Sequence, residues 1–196
     1  MSNSATELLV SACIEVLQAY APFDRMEAAA LRFLAERVKL AHYPKAAQIL
    51  GSEMGVARTL HIVQRGQVRI KRSGGSSAES ASITLGPGRC FSIGALMAQR
   101  ESSSAYIARE DVFCYELPAE DFFSLTQKSS VFNLFCTQYI AGLLRQSQQQ
   151  LQLQFAQRAA EQKTMNSPLA RVITRAPVAV APQTSVRLVV EMMASQ

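Results

Sequence analysis

The chain has 196 residues, of which 48% are hydrophobic and 18% charged, the balance of a globular protein long enough for one substantial core and a fragment of a second. No apolar run approaches the roughly 20 residues that span a bilayer, and the opening MSNSATELL has neither the basic nor the apolar region of a secretory leader, so a cytoplasmic protein is expected. The formal charge of +5 raises nucleic acid as a partner, but in GQVRIKR the basic Arg69 and Lys71 alternate with Val68 and Ile70. That is the pattern of a half-buried strand with a solvated basic face, and nucleic-acid binding is not expected.

In chain order, TELLVSACIEVLQAY places Leu8, Leu9, Cys13, Val16, Leu17 and Tyr20 at helical spacing, and Pro22 closes the segment. MEAAALRFLAERV predicts a second helix with Met26, Ala30, Leu31 and Leu34 on one side. The pattern then changes to short strands at 38–42, 46–50, 59–64 and 66–72, a hairpin tip over SGGSSAES, and further strands in ASITL, AYIA and VFCYELP. Because no helix is expected between consecutive strands, a jelly-roll-like β-barrel fits better than a βαβ sheet. After Pro118 the short helix AEDFFSLTQ leads to Ser129 and Ser130, which cap a much longer helix with Phe132, Phe135, Cys136, Tyr139, Ile140, Leu143 and Leu144 along one stripe. Its glutamine-rich continuation carries Leu151, Leu153 and Phe155, as in a helix that leaves the globule to meet a partner.

The fold expected is therefore α+β and mainly β, a jelly-roll-like double-stranded β-helix barrel with flanking N-terminal helices and a long C-terminal helix. The expected boundaries are 1–36 for the N-terminal helices, 37–128 for the β-roll, 129–163 for the long helix and 164–196 for a linker and a further segment. Cys13, Cys90, Cys114 and Cys136 lie far apart among apolar neighbours with no C-x-x-C pair, which reads as buried reduced thiols and not as a zinc site. Neither His42 nor His61 stands in a motif with an acidic partner and a nucleophile, so no catalysis is expected.

LHIVQRGQVRI, LGPGRCFSIGALM and YIAREDVFCYELPAEDF, together with this order of elements, resemble the cyclic-nucleotide-binding domain over residues 20 to about 160. The resemblance implies that Gly94 opens a short helix whose backbone N–H groups hold a cyclic phosphate, that a glutamate receives the ribose hydroxyl, and that an arginine pairs with the phosphate. Here Ala95 stands at the glutamate position, and Ser102, Ser103 and Ser104 occupy the place of the arginine-bearing triplet. The candidate phosphate cassette is then Gly94, Ala95, Leu96, Met97, Arg100, Ser102, Ser103 and Ser104, with backbone donors from Ala95, Leu96 and Met97 and with Arg100, or Arg109 from the far end of the strand, as the replacement cation. It implies a cyclic nucleotide or other nucleotide as ligand, bound weakly.

Residues 177–193, PVAVAPQTSVRLVVEMM, resemble the opening of a CBS domain, with Thr184 and Ser185 at a helix start. The two resemblances together imply the N-terminal part of a longer bacterial signalling protein that joins a cyclic-nucleotide-like domain, CBS repeats and a nucleotidyltransferase-like domain, so that any enzymatic output lies downstream. The expected function is a regulatory sensor module that forms a homodimer through the Phe132–Phe155 helix. The alternatives are a ligand-free dimerisation scaffold and a DNA-binding transcription regulator, the latter disfavoured because the CBS-like segment occupies the place where a helix-turn-helix would follow.

Overall fold

The computed structural model describes residues 2–72, 83–165 and 183–194. The chain divides into two compact units, residues 1–146 and 147–196. In the first, helices α1 (Ser2–Gln18) and α2 (Ala28–Arg37) precede strands β1 (Lys39–Tyr43), β2 (Gln48–Leu50), β3 (Thr59–Arg65), β4 (Val68–Arg72), β5 (Thr84–Leu85) and β6 (Cys90–Phe91). Helix α3 (Ile93–Met97) interrupts the series before β7 (Ser104–Ala108) and β8 (Val112–Pro118), and α4 (Ala119–Lys128) follows directly. Helix α5 (Ser130–Met165) then runs from the first unit into the second, where the described part also holds α6 (Val186–Ala194). No helix among the described residues is long and apolar enough to cross a membrane.

The strands pair antiparallel into two four-stranded sheets, ordered β1-β8-β3-β6 and β2-β7-β4-β5. Each sheet takes strands from both ends of the β section, as when Lys39 of β1 lies opposite Glu116 of β8, so the roll closes only when its two ends meet. The hairpin from β3 to β4 turns at Gly66, whose φ of 92° and whose approach to Asp111 O, 2.6 Å from where a Cβ would stand, admit only glycine. The hairpin tip expected at 73–80 lies outside the described residues.

Side-chain alternation explains why β3 reads as a continuous apolar run. Leu60 and Ile62 face a core shared with the helices, whereas Val63 belongs to a second cluster inside the roll with Ile49, Val68, Phe91, Tyr106, Val112 and Cys114. A strand covered on both faces needs apolar residues on both. In β4 only the inner face is covered: Val68 is buried while Arg69 and Lys71 are exposed, as the solvated basic face requires. All four cysteines are free and buried, and burial pushes the Cys114 and Cys136 thiols up to about 12.

The helical core gathers Leu17 of α1, Leu31 and Leu34 of α2, Phe122 and Leu125 of α4, and Phe132 and Cys136 of α5. On α1 the inward face is Val10, Cys13 and Leu17, and the expected stripe is corrected there, since Leu8 and Leu9 are 70% and 72% exposed. The start of α5 is fixed twice. Phe132 is fully buried against Phe23 and Phe122, with ring centroids 6.5 and 5.9 Å apart, a burial that stabilises by about 1.5–3 kcal/mol. At the helix end Ser129 Oγ accepts the Phe132 N–H at 3.2 Å and donates to the carboxylate of Glu27, which also receives the Ser130 N–H and hydroxyl.

Those hydrogen bonds, Ser129 first, hold the Glu27 carboxyl down at about 2. A depressed carboxylate contributes stability above its ordinary value of 4.5 and loses it as pH falls toward 2. Ser129→Ala is expected to cost about 1 kcal/mol in urea unfolding at neutral pH. Glu27→Gln should also be less stable than wild type there, with the difference closing between pH 4.5 and about 2.

Inside the roll the His61 ring stacks on Phe91 at 4.7 Å, and Phe91 stacks on Tyr106 of the opposite sheet at 4.6 Å. Among the described residues His61 Nδ1 is buried without a hydrogen-bond partner, and Nε2 stands 3.8 Å from Glu116, which accepts the Tyr43 hydroxyl. Burial drives the imidazole down from 6.5 to about 4 despite the nearby carboxylate. The unfolded chain therefore binds this proton first as pH falls, and stability should drop by about 3 kcal/mol between pH 6.5 and 4. In His61→Phe, which keeps the stack, chemical unfolding across that window should show a correspondingly shallower slope.

Candidate functional site

The glycine-bearing loop leads from β5 into β6 and on into α3. Gly88 turns with a φ of 77° beneath Tyr20, where a Cβ would stand 2.2 Å from the tyrosine Cγ. Between β6 and α3 lies Ser92, buried and left-handed at φ 73°, a strained conformation for a residue with a Cβ. Its Oγ donates to Thr59 O at 2.6 Å, so β3 holds the entry to α3 in place.

Beyond this turn a cavity of about 300 Å³ opens between α3, β7 and the first unit's part of α5. The structure brings Gly94, Ala95, Arg100, Ser102, Ser103 and Ser104 of the expected cassette to its wall. The other two expected members are absent from the lining: Leu96 is buried in the helical core, and Met97 is 43% exposed.

The donor set is also corrected. The Leu96 N–H is committed to Ser92 O at 2.9 Å, because α3 begins one residue earlier than a start at Gly94 would place it. The amides of Ile93, Gly94 and Ala95 precede the first of the helix's own hydrogen bonds, as the opening amides of any helix do. Serine hydroxyls are less available than their number suggests. Ser102, 5% exposed, donates to Ser104 O at 2.7 Å and accepts the Ser104 N–H at 3.3 Å, closing a local turn.

Arg100 lies at the rim with an exposed side chain, its backbone N–H on Ala95 O at 3.0 Å. Arg109 is not in the lining; its guanidinium meets Gln67 Oε1 at 3.5 Å. Among the described residues, the charged residues of the lining are thus Arg100 and its neighbour Glu101.

Sequence reasoning assigned Tyr139 and Leu143 to a face between subunits, and here both line the cavity within the chain. Leu143 Cδ1 comes within 3.2 Å of where a Cβ on Gly94 would be, so α5 closes over the cassette. With Phe132 fully buried and Cys136 1% exposed in the chain's own core, the first half of the expected dimer stripe is occupied internally. Tyr106 was also missed. Alternation in SAYIA sets its side chain opposite Ala105, toward the roll interior, and that was the available signal.

Among the described residues there is no cluster of three or more potential metal ligands. Residues 42–129 match the family model of the cyclic nucleotide-binding domain. No curated protein matches the chain. Among solved structures, the Thermus thermophilus catabolite activator protein is similar at 23% identity and a TM-score of 0.57, covering 67% of this chain and 61% of its own. The regulatory domain of Toxoplasma gondii PKA, crystallised with cAMP, is 19% identical with a TM-score of 0.60, covering 70% of this chain and 52% of its own. The sensor domain of the transcriptional regulator DNR from Pseudomonas aeruginosa is 14% identical with a TM-score of 0.59, covering 70% of this chain and 92% of its own. The chain thus spans little more than half the length of the first two. Residues 42–129, closed by α5, carry the cyclic nucleotide-binding domain fold.

Proposed function

We propose that this chain is a regulatory sensor module that takes a small nucleotide-like ligand in a modified cassette and passes its state along α5 to a CBS-like segment and further domains. The observation that carries the reading is that one helix both walls the cavity, through Tyr139 and Leu143, and continues to Met165. A ligand seated against Gly94 and Ala95 presses on the residues that set the path of that helix. Coupling free energies of about 1–3 kcal/mol suffice for regulation by such a route. The CBS-like reading is supported by α6, whose first turn forms as Leu188 and Val189 donate to Ser185 O at 3.0 and 3.3 Å; the PVAVAP part of that resemblance lies outside the described residues. Catalysis has no part in the proposal, and any enzymatic output is assigned to regions beyond this chain.

A ligand-free dimerisation scaffold is the second reading, favoured by Leu144, Leu151, Leu153 and Phe155, which are 60%, 51%, 64% and 66% exposed along α5. Leu144, Leu151 and Phe155, at spacings of seven and four, share one face of the helix and suit a two-fold helix pair. The pairing surface then begins at Leu144, beyond the buried turn at Phe132 and Cys136.

Cyclic AMP is expected to bind weakly, because two charge-assisted contacts of about 1.5–3 kcal/mol each are missing at Ala95 and Ser102, roughly two to four decades of affinity. Titration calorimetry checks this, and submicromolar binding would refute it. The pair Ala95→Glu and Ser102→Arg should raise affinity by about tenfold or more. For assembly, light scattering should find a dimer at tens of micromolar. Leu144→Asp with Leu151→Asp should make it a folded monomer. A wild-type monomer would remove the dimer reading.

A further inference from the structure

We infer that the cavity selects an uncharged planar molecule of nucleoside size over any anionic counterpart, an inference that rests on the sensor reading above. The polar groups at its floor are already engaged with one another: Ser92 Oγ with Thr59 O, and Ser102 with both backbone groups of Ser104. The first-turn amides of α3, those of Ile93, Gly94 and Ala95, lie at the turn that faces Leu143, an aliphatic side chain. Ala95 itself is only 8% exposed and packs with the apolar core.

Among the described residues, the charged side chains of the lining are Arg100 and Glu101, adjacent, exposed and of opposite sign, so an anion that enters leaves water without a buried cation in that lining to receive it. Apart from the uncharged amide of Gln146, the rest of the described wall is Ile70, Ile83, Leu85, Tyr106, Tyr139 and Leu143, surface that gains from covering an aromatic ring. At about 300 Å³ the cavity stands at the lower end of the range for small-molecule sites. Hydroxyls on the ligand are served by Ser103 and Ser104, which line the side open to solvent. The cavity therefore rewards ring burial and a few neutral hydrogen bonds, and penalises a phosphate.

The test titrates adenosine and cyclic AMP separately into the full 196-residue chain by calorimetry, one nucleoside with and without the negative charge. Histidine ring resonances give a second readout. The chain has two histidines, and His61 is joined by ring stacking through Phe91 to Tyr106 at the cavity wall, whereas His42 lies outside that stack. Adenosine is expected to bind about tenfold or more tightly than cyclic AMP, to shift His61 and to leave His42 in place. Leu143→Gln should weaken adenosine by about tenfold, while its thermal unfolding shows it remains folded. Cyclic AMP binding as tightly as adenosine, or more tightly, would overturn the preference for an uncharged ligand and leave the sensor reading standing. Binding of neither molecule, with both histidines unmoved, would overturn both.

Discussion

The structure depends most on the way α5 is seated at its first turn. Phe132 enters an aromatic cluster with Phe23 and Phe122, while Glu27, at the start of α2, receives both serines at the start of α5. One apolar contact and one ionic cap thus fix both position and direction. Residues 132, 136, 139 and 143 follow at spacings of four, three and four, a single face of a helix. Eleven residues at 1.5 Å each carry that face about 16 Å, from the helical core to the cassette. Rotating α5 by even one residue would withdraw Leu143 from Gly94 and Phe132 from its cluster together.

Beneath this helix the roll has its own interior, and three rings cross it. His61, Phe91 and Tyr106 stack at 4.7 and 4.6 Å with interplanar angles of 8° and 17°, joining β3 and β6 of one sheet to β7 of the other. Tyr106 reaches the cassette cavity at one end. At the other, His61 stands beside Glu116 and Tyr43 in a separate cleft of about 540 Å³. The imidazole has a nitrogen without a partner among the described residues, a cost of burial that the ring stack and its apolar contacts offset. A neutral, buried ring suits this position better than a cation.

The cassette departs from a phosphate cradle by the same logic of burial. Ala95 and Leu96 pack into the core, and Leu143 covers Gly94, so this loop is held by apolar contacts where an ionic site would need water or counter-charge. The backbone turn, held in this way, leaves a shaped cavity whose described lining combines apolar side chains and serines with the Arg100 and Glu101 pair. The shape follows from the antiparallel closure of the roll. Polarity follows from a few side chains and can change without disturbing that closure.

Much of this was legible in the residues themselves. Alternation placed β4 with its basic face outward, the glycine at 66 marked a turn that no other residue can make, and apolar neighbours announced the buried cysteines. Gly94, Ala95, Arg100 and Ser102–Ser104 were identifiable as neighbours because they lie within one short stretch of loop, helix and strand. What covers that stretch was not legible. A helical period states which residues share a face but not which surface they meet, so Tyr139 and Leu143 read equally well as a subunit seam and as the wall of the chain's own cavity. Likewise Leu8 and Leu9 fit an apolar stripe that tertiary packing turned toward Val10, Cys13 and Leu17. Hydrogen-bond allegiance was equally hidden. Whether the Leu96 amide was free depended on where α3 began, and that was set by Ser92 bonding to Thr59, 33 positions earlier in the chain. Periodicity and turn chemistry are local and are written in sequence; the partner of a face, a hydroxyl or an amide is a long-range contact, and only the folded chain decides it.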